Sequence, residues 1–259
     1  MISFKGQHFQ KEMILQSVRW CLAYALSYRD IEEIMSELGF VIDHSTIQRW
    51  VVHFSPQLLN AFHKKKKRPG DRWRLDETYL KVKGQWKYRY QAVDKQGHTI
   101  DFLLTAKRDK KAALRFLTKA IDRNGKPGLV NIYKSGANTA AIRDYNDDHN
   151  TRVKIRQCKY LNNIVEQDQR HVKRRCRAML GFKHSDAAQK TLDGIELIHM
   201  LKKGQMRKTR GIPLSLAEQF YALAAQPAGV AGLELGSLPR LRQNRFLSTL
   251  TVHSIRLFG

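Results

Sequence analysis

The chain has 259 residues, room for one large domain or two modest ones with cores of their own. Lysine and arginine number 47 against 23 acidic residues, and a net charge of +24 points to a polyanionic partner, nucleic acid first, although a ribosomal, membrane-surface or heparin-like partner fits charge alone. Ordinary apolar content excludes a disordered basic tail, and three cysteines without C-x-x-C spacing argue against a disulfide framework or zinc site and fit a reducing cytoplasm.

The first apolar stretch, Met13 to Leu26, carries Arg19 and is too short and polar to span a bilayer. No signal peptide is visible, so a soluble protein of the cytoplasm is expected, without a membrane partner. Met13, Ile14, Val18, Leu22 and Ala25 instead recur at helical spacing. A second helix is expected after Ser27, through Ile31, Ile34, Met35 and Leu38 to the breaker Gly39. A third begins behind Ser45, a good N-cap, with Ile47, Trp50 and Val51 on its buried side. Helix, short glycine-containing turn and helix is the layout of a helix-turn-helix. Its last helix would offer Thr46, Gln48, Arg49 and His53 to base edges or phosphates. A plain helical hairpin packed on the next domain has the same spacing, and the basic charge favours DNA. Residues 1–62 are thus taken as a DNA-binding domain. The run His63 to Arg68, ending at Pro69-Gly70, reads as a solvated basic linker over 63–70, with Lys64 and Lys65 free to touch phosphates.

After Gly70 the period changes. Trp73–Val82, Trp86–Val93 and His98–Ala106 read as three strands of an antiparallel meander, joined by short turns. A helix follows behind Asp109, then a short strand Leu129–Tyr133, a helix Ala137–His149, a strand Val153–Arg156 and a long helix Asn163–Met179. That order, βββαβαβα over residues 71–205, is the order of a ribonuclease-H-like α/β fold with a mixed five-stranded sheet. A further helix is expected within 206–225. Beyond Gln226 no period is visible, and 226–259 is expected to be poorly ordered or marginally packed.

Phosphodiester cleavage and strand transfer in such a fold use two divalent ions about 4 Å apart, one at the attacking oxygen and one at the leaving oxygen. Magnesium or manganese wants hard oxygen ligands, so carboxylates must cluster at one sheet edge. Asp76 in the first strand, residue 133 at the end of the fourth and Glu166 in the first turn of the long helix would converge there. Asp76 could also be a surface ion pair, but a carboxylate between Leu75 and Tyr79 in a strand favours function. For Glu166 the spacing from Asn163 fits a capping box equally well. Lys173 lies on the same helical face as Glu166 and could hold phosphate, and Arg170, Arg174 and Arg177 extend the stripe. Val165, Val172, Cys176 and Met179 form the buried stripe.

The segments Asp76-Glu77-Thr78-Tyr79, Lys134-Ser135-Gly136-Ala137-Asn138 and the run from Arg156 through Tyr160-Leu161-Asn162-Asn163 to Glu166-Gln167-Asp168 closely resemble the insertion-sequence-six family of bacterial DDE transposases. Phe102 to Lys107 and Met179 to Lys183 share the likeness, which runs to about Ala225. The resemblance implies a helix-turn-helix joined to a ribonuclease-H-like catalytic domain that binds the terminal inverted repeats of an element and transposes it through cointegrates. It also implies action as a homo-oligomer on double-stranded DNA. By position Asp76 matches the first acidic residue, Glu166 the third and Lys173 the basic residue that follows. The second acidic position is Tyr133. A phenol with a pKa near 10 is a poor magnesium ligand. Aspartate and tyrosine codons differ by one base, so a point mutation explains it simply. Asp144 could substitute only if its helix leaned over the sheet edge. The stretch 226–259, which matches nothing, reads as translation past a lost stop codon. An impaired two-ion site follows, in a copy acting either as a transposase or as a DNA-binding relative without chemistry, an inhibitor or remnant.

Overall fold

The computed structural model describes residues 2–179, 181–207 and 213–225. The expectation for 226–259 concerns residues outside that range. Three helices open the chain: α1 (Lys11–Ala23), α2 (Tyr28–Glu37) and α3 (His44–Lys65). Ser27 starts α2 with a reciprocal capping box, its hydroxyl accepting from the Asp30 amide while the Asp30 carboxylate accepts from the Ser27 amide. The cap of α3 is Asp43 rather than Ser45, because the Asp43 carboxylate accepts from the Ser45 amide at 2.7 Å.

α3 is longer than the sequence pattern implied. It runs on through Pro56, with Phe54, Leu58, Leu59 and Phe62 buried, and ends only at Lys65. The boundary expected at residue 62 falls inside this helix. The expected solvated linker needs correcting for the same reason. Lys64 and Lys65 are helical, and Lys66 is buried, its ammonium donating to the Ile100 carbonyl and to Asn124. Lys66 and Lys67 then pair with Gln205 and Met206 beyond the last long helix, so the run is tied on both sides.

β1 (Arg72–Val82), β2 (Gln85–Asp94) and β3 (Thr99–Thr105) form the meander. Lys83 and Gly84, both with positive φ, make the tight β1–β2 turn whose twist suits a two-residue hairpin. α4 (Lys110–Asn124) follows its N-cap Asp109, then β4 (Leu129–Ile132), α5 (Gly136–Asp148) and β5 (Lys154–Gln157). The sheet order is β3-β2-β1-β4-β5, with β4 parallel to both β1 and β5. This is the ribonuclease-H-like arrangement. α6 (Asn163–Ala178) follows a single 3-10 turn, then come α7 (Ser185–Lys202) and α8 (Leu216–Ala222).

The sheet separates two cores. On one face Trp73, Tyr90 and Val130 pack against Phe116 of α4 and Ile142 of α5. On the other, Leu80 and Phe102 join α6, α7 and the N-terminal helices in one continuous apolar cluster. α7 was not read from the sequence, and it is the element that joins these parts. Its close approach to α1 and α3 depends on Gly194, where a Cβ would lie 2.5–2.6 Å from Ser55 Oγ and the Leu22 methyls. Its Glu196 is wholly buried against Arg89 of β2.

Candidate active site

β4 pairs with β1 only over Arg72 to Arg74 and Phe182 bridges Val82 at the far end, so the β1 edge between them is open to side chains. Asn162 takes up the next backbone group, its amide donating to the Leu75 carbonyl and its oxygen accepting from Asn131 of β4. Asp76 comes immediately after. Its side chain meets α6, where Gln169 donates to its carboxylate at 3.1 Å.

Glu166 lies one turn earlier on α6 and is half-exposed, 4.0 Å from Arg170. The expected capping box is absent. The helix is capped at Asn162, without a side-chain hydrogen bond, because the Asn162 side chain is already used by Leu75 and Asn131. Glu166 is therefore left free of a capping role. The Asp76 carboxyl is pushed up to about 6, chiefly by burial, then by the negative charge of Glu77, with Glu166 adding to it against the Gln169 hydrogen bond. Two hard oxygen donors that repel one another suit a divalent cation.

The strand register pairs Arg74 with Asn131. Carried two residues further, it sets position 133 alongside Asp76. Tyr133 stands there, its ring 40 % exposed with the Lys159 ammonium 5.7 Å from the centroid. A phenol is a poorer donor to a hard cation than a carboxylate. Asp144 does not compensate, because it faces α4 and pairs with Lys110 at 2.8 Å. Asp76 and Glu166 are thus the carboxylates that could hold a divalent ion here, and position 133 brings none.

Lys173, two turns along from Glu166, places its ammonium 4.7 Å from the Tyr79 ring. Burial and the nearby Arg177 and Arg89 lower its pKa, while Asp76 opposes them. Arg170 and Arg174 are exposed on the same helix. Away from this edge, Gln48, Arg49 and His53 are exposed on α3 and Thr46 half-exposed. Arg49 bonds Thr46 at 3.1 Å, and His53 meets Gln57 at 3.0 Å. Lys64 and Lys65 are exposed at the far end of that helix.

Three supports were missed by sequence reasoning. Glu77 turns to the face opposite Asp76 and accepts from Arg108 at 3.1 Å and from Ser135 at 3.0 Å, tying β1 to the cap of α5 and hence to the turn bearing Tyr133. Asn131 fastens β4 to Asn162 and to the Cys158 carbonyl. Asp168, two residues past Glu166, is buried and takes Lys203, His199 and Gln91, which holds α6 on β2 and α7. Burial alone would raise the Asp168 carboxyl, but the His199 hydrogen bond and the Lys203 charge outweigh it and hold it low. Only the buried stripe of α6 hinted at these contacts.

A family model described as a DDE domain, of the IS240 type, matches residues 70–205. The chain is 39% identical over 211 residues to the transposase for insertion sequence-like element IS431mec of Staphylococcus aureus, covering 79% of this chain and 90% of the relative. The transposase for insertion sequence element IS257 in transposon Tn4003, from the same species, matches to the same extent. Among solved structures, the HTLV-2 integrase catalytic core domain in complex with magnesium is similar with a TM-score of 0.40 and 15% identity, over 50% of this chain and 85% of that one. A simian T-cell lymphotropic virus intasome in complex with a PP2A regulatory subunit is similar with a TM-score of 0.43 and 11% identity, over 83% and 80%.

Proposed function

The chain belongs to the insertion-sequence-six family of DDE transposases, which are polynucleotidyl transferases, and from that premise we propose that it binds the terminal inverted repeats of its element and engages their cleavable phosphates at Asp76 and Glu166. The observation that carries this reading is the approach of α6 to the open edge of β1, where Gln169, one turn beyond Glu166, donates to the Asp76 carboxylate at 3.1 Å. Magnesium or manganese held there would act as a Lewis acid on a phosphate oxygen and stabilise the charge of the reacting centre.

The chain's own groups do the rest. Gln169 fixes the Asp76 carboxylate. Lys173 offers a cation to the phosphate, and Arg170 and Arg174 hold the neighbouring backbone charge. Thr46, Gln48, Arg49 and His53 contact the repeat from α3, with Lys64 and Lys65 on flanking phosphates. The DNA is double-stranded, both element ends and target, and the chain acts on it as a homo-oligomer.

Tyr133 favours a second reading of this copy, as a binder of element ends with weak chemistry. Purified protein is expected to bind end-bearing duplexes yet nick them poorly in magnesium or manganese. Tyr133→Asp restores the second acidic ligand, and strand nicking should rise by at least about 100-fold if a two-ion site is rebuilt. Vigorous nicking by the unaltered chain would refute the impaired site. Silence of the Tyr133→Asp variant, with DNA binding intact, would point to residues 226–259 or to further lesions instead.

A further inference from the structure

The tip of the β1–β2 hairpin carries two large aromatic rings in the open. Tyr79 is 54% and Trp86 57% exposed, with ring centroids 5.0 Å apart in an edge-to-face arrangement. Folding normally hides such rings, which dominate core energetics when buried. These two instead lie under cations. Lys173 sits 4.7 Å from the Tyr79 ring, and Lys81, paired with Trp86 across the ladder, sits 5.8 Å from its ring. Lys83 in the turn and Arg177 on α6 are exposed as well.

Flat apolar faces rimmed by positive charge fit a polyanion that also presents flat apolar faces. Paired DNA does not, because its base faces are hidden in the stack. An unpaired nucleotide does. Base-on-aromatic stacking is tolerant of sequence, since every base has such a face.

We propose that Tyr79 and Trp86 form a stacking platform for unpaired bases of the DNA at the active site. Its location supports this assignment. Tyr79 is three residues along β1 from Asp76, about 10 Å at strand spacing. The two side chains leave opposite faces of β1. They are linked around its open edge by Lys173 of α6, which lies against the Tyr79 ring and feels the Asp76 charge, so a strand engaged at Asp76 and Glu166 reaches the hairpin along α6. Melting a few base pairs at an element end costs energy, and stacking on the platform offsets it. The inference rests on the proposed binding of DNA, and its test separates the two.

Binding is measured by fluorescence anisotropy in EDTA, with a fully paired duplex and with the same duplex carrying a short unpaired thymidine tail. The tailed DNA should bind more tightly and quench the tryptophan emission. Trp86→Ala and Tyr79→Ala should each lose about tenfold on the tailed DNA and little on the paired one, while Trp86→Phe keeps most of the gain. Equal affinity of the unaltered chain for both DNAs would overturn the platform and leave the proposed function standing. Equal losses on both DNAs would overturn it too. Failure to bind either DNA would overturn the proposed function itself. If Trp86→Ala instead dissociates an oligomer in sedimentation while the tail preference survives, the rings belong to a second copy and the platform is wrong.

Discussion

Asp76 binds a proton more readily in the folded chain than in an unfolded one, its carboxyl having moved from 3.8 to about 6. Such a group favours the fold below about pH 4, and the advantage disappears as pH rises through about 6. At neutral pH the ionised carboxylate is therefore a cost to the fold. Asp76→Asn keeps an oxygen for Gln169 and removes the charge. In EDTA at pH 7.5 it should melt higher, by an amount equivalent to roughly 1–3 kcal/mol, with the gap closing near pH 4. A variant that melts lower at both pH values would contradict the burial and repulsion described for this carboxylate. Added magnesium should stabilise the unaltered protein more than Asp76→Asn, because the cation relieves the same repulsion.

At the scale of elements, α7 decides how the parts fit. Glu196→Ala would leave the Arg89 guanidinium buried without its partner, and unpairing a buried charge costs about 3–5 kcal/mol. Gly194→Ala sets two effects against each other. Alanine improves helix propensity by about 1 kcal/mol, whereas overpacking against Leu22 and Ser55 costs about 1–3 kcal/mol. The contact distances favour the second, so urea midpoints should fall for both variants. A stabilised Gly194→Ala would mean that α1 and α3 can draw back freely.

The same helix shows where sequence reading ended. α6 was legible because its buried stripe, Val165, Val172, Cys176 and Met179, alternates with arginines, and all four are buried. α7 has no comparable alternation, since Leu192, Ile195, Leu197, Ile198 and Leu201 are buried on several sides. The strands of the meander were legible from their turns, and Asp76 from its place among apolar neighbours. Glu77, Asn131 and Asp168 were not, because their partners are 77 residues away in one case, Gln91 with Asp168, and 58 in another, Glu77 with Ser135. Lys66 looked like its basic neighbours and is set apart only by tertiary burial.

Over the whole molecule, the excess of positive charge predicts how binding responds to salt. If α3, α6 and the hairpin together neutralise six or more phosphates, affinity for duplex DNA should fall by about 1,000-fold or more between 50 and 200 mM salt. A flat response would mean that the charge serves another partner. No helix among the described residues is long and apolar enough to cross a membrane.

The single core shared by α1, α3, α6 and α7 has a metric consequence. If α3 reads the repeat and α6 carries a metal ligand, the packed helices between them act as a ruler of fixed length. The distance from the recognised base pairs to the cut phosphate is then set by protein packing, with no slack for a hinge. Inserting one or two base pairs between the repeat and the element boundary should move the cut by the same number, keeping it at a constant distance from the repeat.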